Sequence, residues 1–160
     1  RSSAASDVYK RQSQQLAKMP ILEFEVFGEP APQGSKTIYR GRLVESSAKK
    51  LNPWRKAIAA VVEETLPQDH MPILGPVRVE IDFYVQDLQA SKGVSGSGLL
   101  SLPIVDKLCR AVNDGLNQGP DGKANNGRLW GDDSQIVELE AHKFYADDRA
   151  PGANIRIIEL

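Results

Sequence analysis

At 160 residues and 41% hydrophobic content, the chain can bury one substantial core but is short for two. Its 20 basic and 21 acidic residues nearly cancel, so no chain-wide basic field selects nucleic acid or an anionic membrane. A lone cysteine, Cys109, excludes an internal disulfide or a multi-cysteine zinc site and fits a cytoplasmic protein held by packing. No apolar run reaches the ~18 residues of a spanning helix, so no membrane segment is expected.

The opening RSSAASDVYKRQ has no apolar stretch of the kind a secretory signal needs. Ser2 to Gln12 resemble the in-frame translation of a sequencing-library adapter, with a genuine disordered leader as the alternative. Residues 1–18 are therefore set apart, and one domain is expected over 19–160. Without the leader's Arg1, Lys10, Arg11, Lys18 and Asp7, the chain is net acidic. Any nucleic-acid contact would then need a local basic patch.

In chain order, ILEFEVF alternates with period two and reads as a half-buried strand with Leu22, Phe24 and Val26 inward. PAPQGSK is a loop. TIYRGRLVE reads as two short strands around Gly41. A helix follows, with a start signal at Ser46 or Ser47 and a second at Asn52-Pro53; Trp54, Ala57, Ile58, Val61 and Val62 form its apolar stripe up to Pro67. VRVEIDFYV is the clearest strand, with Val77, Val79, Ile81, Phe83 and Val85 on one face. Residues 86–103 form a Gly- and Ser-rich loop, expected to move. PIVDKLCRAVNDGL reads as a second helix, with Val105, Leu108, Cys109, Val112 and Leu116 inward and Asp106, Arg110, Asn113 and Asn117 outward. After QGPDGKANNGR, the stretches LWGDDSQIVELEAHKFY and ANIRIIEL give two final strands. The order β-β-α-β-α-β-β argues an α+β fold with a mixed sheet.

Three constellations carry chemistry. Asp106 with Asp132 and Asp133 supplies the hard oxygen donors that Mg²⁺ requires, although spacing alone equally fits solvated acids and a turn. Arg110 follows Asp106 by one turn and suits either a surface pair worth ~0.3–0.5 kcal/mol or a phosphate contact. Between residues 30 and 56, Lys36, Arg40, Arg42, Lys49, Lys50, Arg55 and Lys56 face only Glu45, interleaved with Tyr39 and Trp54. That asymmetry suits a phosphate backbone or a solvated face. His70 and His142 lack metal-ligand spacing, and GVSGSG lacks the Lys-Ser/Thr of a phosphate loop, so no nucleotide cofactor is expected.

Four separated blocks, PAPQGSK, VESSAKKLNPWRKAI, VDKLCRAVNDGL and WGDDSQIVELEAHKFYAD, together resemble the RusA family of Holliday junction resolvases, frequent in phages and prophages. The resemblance implies a RusA-like single domain and a homodimeric, Mg²⁺-dependent endonuclease, with Mn²⁺ as a substitute, that nicks branched four-way DNA. It assigns metal ligation to Asp106 and Asp133, with Asp132 beside them, and a catalytic cation to Arg110. Asp114 matches a further acid. Lys36, Arg40, Arg42, Lys49, Lys50 and Arg55 become DNA contacts. Ile104 falls where the family's helix motif has its first acid, and an alkyl side chain cannot ligate a metal. A junction-binding protein with impaired or no catalysis is therefore the alternative reading. An unrelated α+β interaction domain is a third. QGPDGKANNGR is longer than the family's usual connection at that point.

Overall fold

A computed structural model describes residues 22–34, 36–45, 48–86, 104–119, 121–125 and 127–160. The expected leader and the loop from 87 to 103 lie outside these residues. The elements run β1 (Leu22–Phe27), β2 (Lys36–Tyr39), β3 (Arg42–Glu45), α1 (Ala48–Thr65), β4 (Val77–Val85), α2 (Val105–Leu116), β5 (Ile136–Tyr145) and β6 (Gly152–Glu159), with a 3-10 turn at Asp133–Gln135 before β5. The fold is α+β as expected, and the order differs from β-β-α-β-α-β-β only in that the segment around Gly41 forms two strands, the β2–β3 hairpin.

The main sheet has the order β1-β6-β4-β5. β4 and β5 are parallel, whereas β6 runs antiparallel to both β1 and β4. Parallel neighbours need a crossover, and α2 supplies it, running back from the end of β4 to the start of β5. The chain's last strand thus fills the middle of the sheet. Its alternating Ala153, Ile155 and Ile157 are fully buried, as are the five inward residues of β4.

Both helices pack on this apolar face, giving one core that joins Phe24 and Val26 to Trp54, Ile58 and Val62 of α1 and Leu108, Cys109, Val112 and Leu116 of α2. The helices approach closely at Gly115, where an added Cβ would lie 3.0 Å from Ile58 Cδ1. The opposite sheet face is polar: Arg78 bridges Glu138 and Glu140, and Arg156 bridges Glu80 and Asp82. Among the expected helix starts, Asn52-Pro53 falls within α1, because the helix is already under way at Ala48. No helix among the described residues is long and apolar enough to cross a membrane.

Candidate functional site

The polar face of α2 is laid out along its length. Asp106 stands in the first turn, 71% exposed, with Lys107 Nζ at 4.0 Å. Arg110 follows, then Asp114, and Asn117 closes the helix as its C-cap. Ile104 is the N-cap: its backbone is extended, it makes no side-chain capping bond, and it is 65% exposed. A polar or acidic side chain is what this position ordinarily carries, since its oxygen would accept from the unpaired N–H groups of the first turn.

The PAPQGSK loop lies against this face. Pro30 and Ala31 are buried, and the Gln33 N–H donates to Lys107 O at 3.0 Å. The Gln33 amide then bridges two helices, its Nε2 donating to Asp114 Oδ2 and its Oε1 accepting from Arg55 Nη1 at 3.3 Å. Arg55 also reaches Asn52 Oδ1 at 3.2 Å and Asp114 at 3.9 Å. Arg55, expected as a DNA contact, is thus a strut between α1, the loop and α2. Gly34 turns the loop at a φ of 97°, and a Cβ there would sit 3.3 Å from Arg110 Nη1, so the backbone closes over the Arg110 side chain.

Beyond the helix the acid pair is built by a capping box. Asp132 accepts from the Ser134 N–H at 2.7 Å, and Gln135 Oε1 accepts from the Asp132 N–H at 3.1 Å. Gln135 Nε2 donates onward to Ile73 O and Gly75 O, which pins the turn to the segment before β4. Hydrogen bonding from Ser134, through its side chain and then its backbone, holds the Asp132 carboxyl below the usual carboxylate range. Asp133 Oδ1 accepts from the indole Nε1 of buried Trp130 at 3.1 Å and from Asn117 Nδ2. One oxygen of Asp133 is oriented by two fixed donors, which leaves the other for a ligand.

Asp133 therefore meets the C-terminal end of α2. It lines a cleft of about 220 Å³ with Asp114, Arg55, Asn117 and Lys123. A neighbouring cleft of about 230 Å³ runs past Trp130 and Asp132. Asp106 lies eleven residues before Asn117, about 16 Å away at ~1.5 Å per residue. The acids assigned to one metal thus stand at opposite ends of α2 within a chain, and no group of three metal-capable side chains forms among the described residues. Described parts of the long QGPDGKANNGR connection fold back on the helix end, where the Asn125 side chain donates to Leu116 O and its N–H to Asn117 O.

The residues of the basic patch fall on the hairpin and on the start of α1. Arg40 and Arg42 are exposed at the β2–β3 turn, Lys36 opens β2, and Lys49 and Lys50 are exposed in the first turn of α1. Gln33, Asn117, Trp130 and Gln135 were not among the residues singled out for the site. Gln33, Trp130 and Gln135 nonetheless fall within the PAPQGSK and WGDDSQ blocks, Asn117 lies on the polar stripe of the helix, and Gln135 stands three residues after an acidic cap.

Residues 28–158 match the family described as Endodeoxyribonuclease RusA. The chain is also similar to the uncharacterized protein YqaN of Bacillus subtilis (strain 168), at 28% identity over 153 residues, covering 89% of this chain and 99% of YqaN. The family match spans the loop, the polar face of α2 and the Trp130–Gln135 turn alike, and on that extent the chain belongs to the RusA endodeoxyribonuclease family.

Proposed function

We propose that the protein is a divalent-cation-dependent endonuclease that nicks four-way DNA junctions as a homodimer. The observation that carries this reading is Asp133, one oxygen fixed by Trp130 and Asn117 and the other open, within the family-matched segment. Asp106 and Asp133, with Asp132 adjacent, are hard oxygen donors of the kind Mg²⁺ or Mn²⁺ accepts. A bound cation would supply charge neutralisation at the scissile phosphate and a more acidic water. Arg110 offers a second positive charge to the same phosphate, held in place by the loop at Gly34. Arg40, Arg42, Lys36, Lys49 and Lys50 would hold the arms of the junction through their backbones.

Since Asp106 and Asp133 of one chain lie too far apart for one ion, the reading assigns each metal site to two copies, Asp106 from one and Asp133 from the other. Mixing distinguishes this arrangement from a site within one chain. Asp106→Asn and Asp133→Asn each abolish Mg²⁺- or Mn²⁺-dependent nicking of a synthetic junction. After the two variants are unfolded and refolded together, heterodimers regain one intact site, restoring about a quarter of the wild-type sites under random pairing. No recovery would place both acids of each site in one chain; no nicking by the unmodified chain with either metal would remove the nuclease reading.

Ile104 favours a second reading, junction binding with weak or absent cleavage, because an exposed alkyl group occupies the position next to Asp106 where the family places an acid. Salt-sensitive gel shift without nicking is its signature, and efficient cleavage by the unmodified chain excludes it.

A further inference from the structure

Between α2 and β5 the chain folds a strap that forms part of the wall of the Asp133 cleft. The strap leaves the helix at Asn117 and Gln118 and closes at Ala124 and Asn125: the Asn125 N–H donates to Asn117 O at 2.9 Å, and Gln118 and Ala124 form an antiparallel bridge. Inside it, the Gly122 N–H donates to Gly119 O at 3.0 Å, and Gly122 supplies the positive φ of 83° at the turn. The backbone of Lys123 is held from both sides, its N–H donating to Asp121 Oδ1 at 3.0 Å and its carbonyl accepting from the Gly119 N–H at 2.6 Å. The strap thus fixes the root of an exposed lysine that lines the cleft of about 220 Å³ with Asp114 and Asp133.

We propose that Lys123 binds a phosphodiester of the DNA strand that enters the Asp133 cleft. The other cations near this cleft are engaged or distant. Arg55 holds Gln33, Asn52 and Asp114. Arg110 stands seven residues before Asn117, about 10 Å along the helix at ~1.5 Å per residue, with the Gly34 backbone over it. Among the described residues, no ion pair engages the Lys123 ammonium. A strand approaching Asp133 also meets the Asp114 carboxylate, and two acids on one wall repel a phosphate unless a cation stands beside them. Lysine suits that place, because a point charge on a flexible stem follows a backbone without reading a base.

The contact rests on the nuclease reading for its place beside Asp133, while its own measurement is DNA binding. It is separate from the cations of the hairpin and of the start of α1, which stand on other elements. Those residues would grip the arms of a junction; Lys123 would hold the strand at the acid itself. Losing it therefore removes one phosphate contact from binding and also slows nicking.

The test uses the full chain and a synthetic four-way junction. Gel shift without divalent cation, across a salt series, reads the contact apart from cleavage. Lys123→Ala is expected to lower the slope of log K against log salt by ~0.7–0.9, and Lys123→Arg to keep the parent slope because the charge stays. With Mg²⁺ present, nicking falls about tenfold in Lys123→Ala and is largely recovered in Lys123→Arg. The strap's printed bonds use the backbone of Lys123, so the melting temperature of Lys123→Ala should match the parent; should that variant not fold, Lys123→Gln, which keeps most of the stem, is read in its place. A parent slope in Lys123→Ala would overturn the contact, as would equal losses in the alanine and arginine variants. A junction that the unmodified chain binds but does not nick, with a flattened slope in Lys123→Ala, keeps the contact and removes the nuclease reading. Nicking by the unmodified chain that Lys123→Ala leaves unchanged keeps the nuclease reading and removes the contact.

Discussion

Ile104 is the residue on which most depends. It sits at the N-cap of α2 with no capping bond, in a position open to solvent, so a carboxylate there disturbs no packing. Ile104→Asp is expected to add ~1 kcal/mol through the missing cap and the favourable helix end, raising the melting temperature by a few degrees. Nicking of a four-way junction should rise in the same variant, since a carboxylate returns beside Asp106. A rise in melting temperature without a gain in nicking would mean that catalysis is limited elsewhere.

Cys109 gives a second, pH-resolved expectation. Burial first, and the neighbouring Asp106 charge second, push its thiol up to about 11 from an ordinary 9.0. An acid whose folded value is raised binds more protons folded than unfolded between those limits. Stability is therefore lost as pH climbs from 9 towards 11, by up to ~2–3 kcal/mol. Chemical denaturation across that range should show a shallower alkaline decline for Cys109→Ala than for the parent chain; equal slopes would dismiss the thiol as the cause. At neutral pH the same thiol should resist alkylation until the protein unfolds.

At the scale of elements, α1 and α2 are fixed to one another at two points of different character. Gly115 lets Ile58 approach the α2 backbone, and Gln33 ties Asp114 to Arg55 across the helix pair. Gly115→Val would force two β-branched side chains into space sized for a hydrogen and is expected to cost ~1–3 kcal/mol. A denaturant midpoint within error of the parent would show that the helices separate without penalty. The helix stripes themselves were readable from spacing: the expected inward residues of α2 are buried or half-buried, and Ala111 and Gly115 complete that face. The loop's docking was not readable, because Gln33 is polar, lies in a loop, and finds Asp114 81 residues away.

At the scale of the whole molecule, charge is distributed unevenly. The described basic residues Arg40 and Arg42 are exposed on the hairpin, and Lys49 and Lys50 are exposed at the start of α1. Junction affinity should therefore fall steeply with salt, each lost phosphate contact reducing the slope of log K against log salt by ~0.7–0.9. Arg42→Ala and Lys50→Ala are expected to flatten that slope while leaving the fold intact, as measured by gel shift across a salt series. An unchanged slope in both would move the DNA surface elsewhere.

By itself the sequence determined the strands, the two helices, their buried faces and the residue types capable of metal and phosphate chemistry, because periodicity and side-chain chemistry are local properties. Val77 to Val85 alternates so regularly that its burial could hardly be otherwise. Only tertiary structure decided where these pieces meet. The last strand enters the centre of the sheet, next to β4, through backbone hydrogen bonds that any strand can make and no side chain announces. The crossover through α2 then sets Asp106 and Asp133 at opposite ends of one helix, because parallel strands require the chain to travel the helix's full length before it returns. Their types were legible from the start; their separation follows from that path.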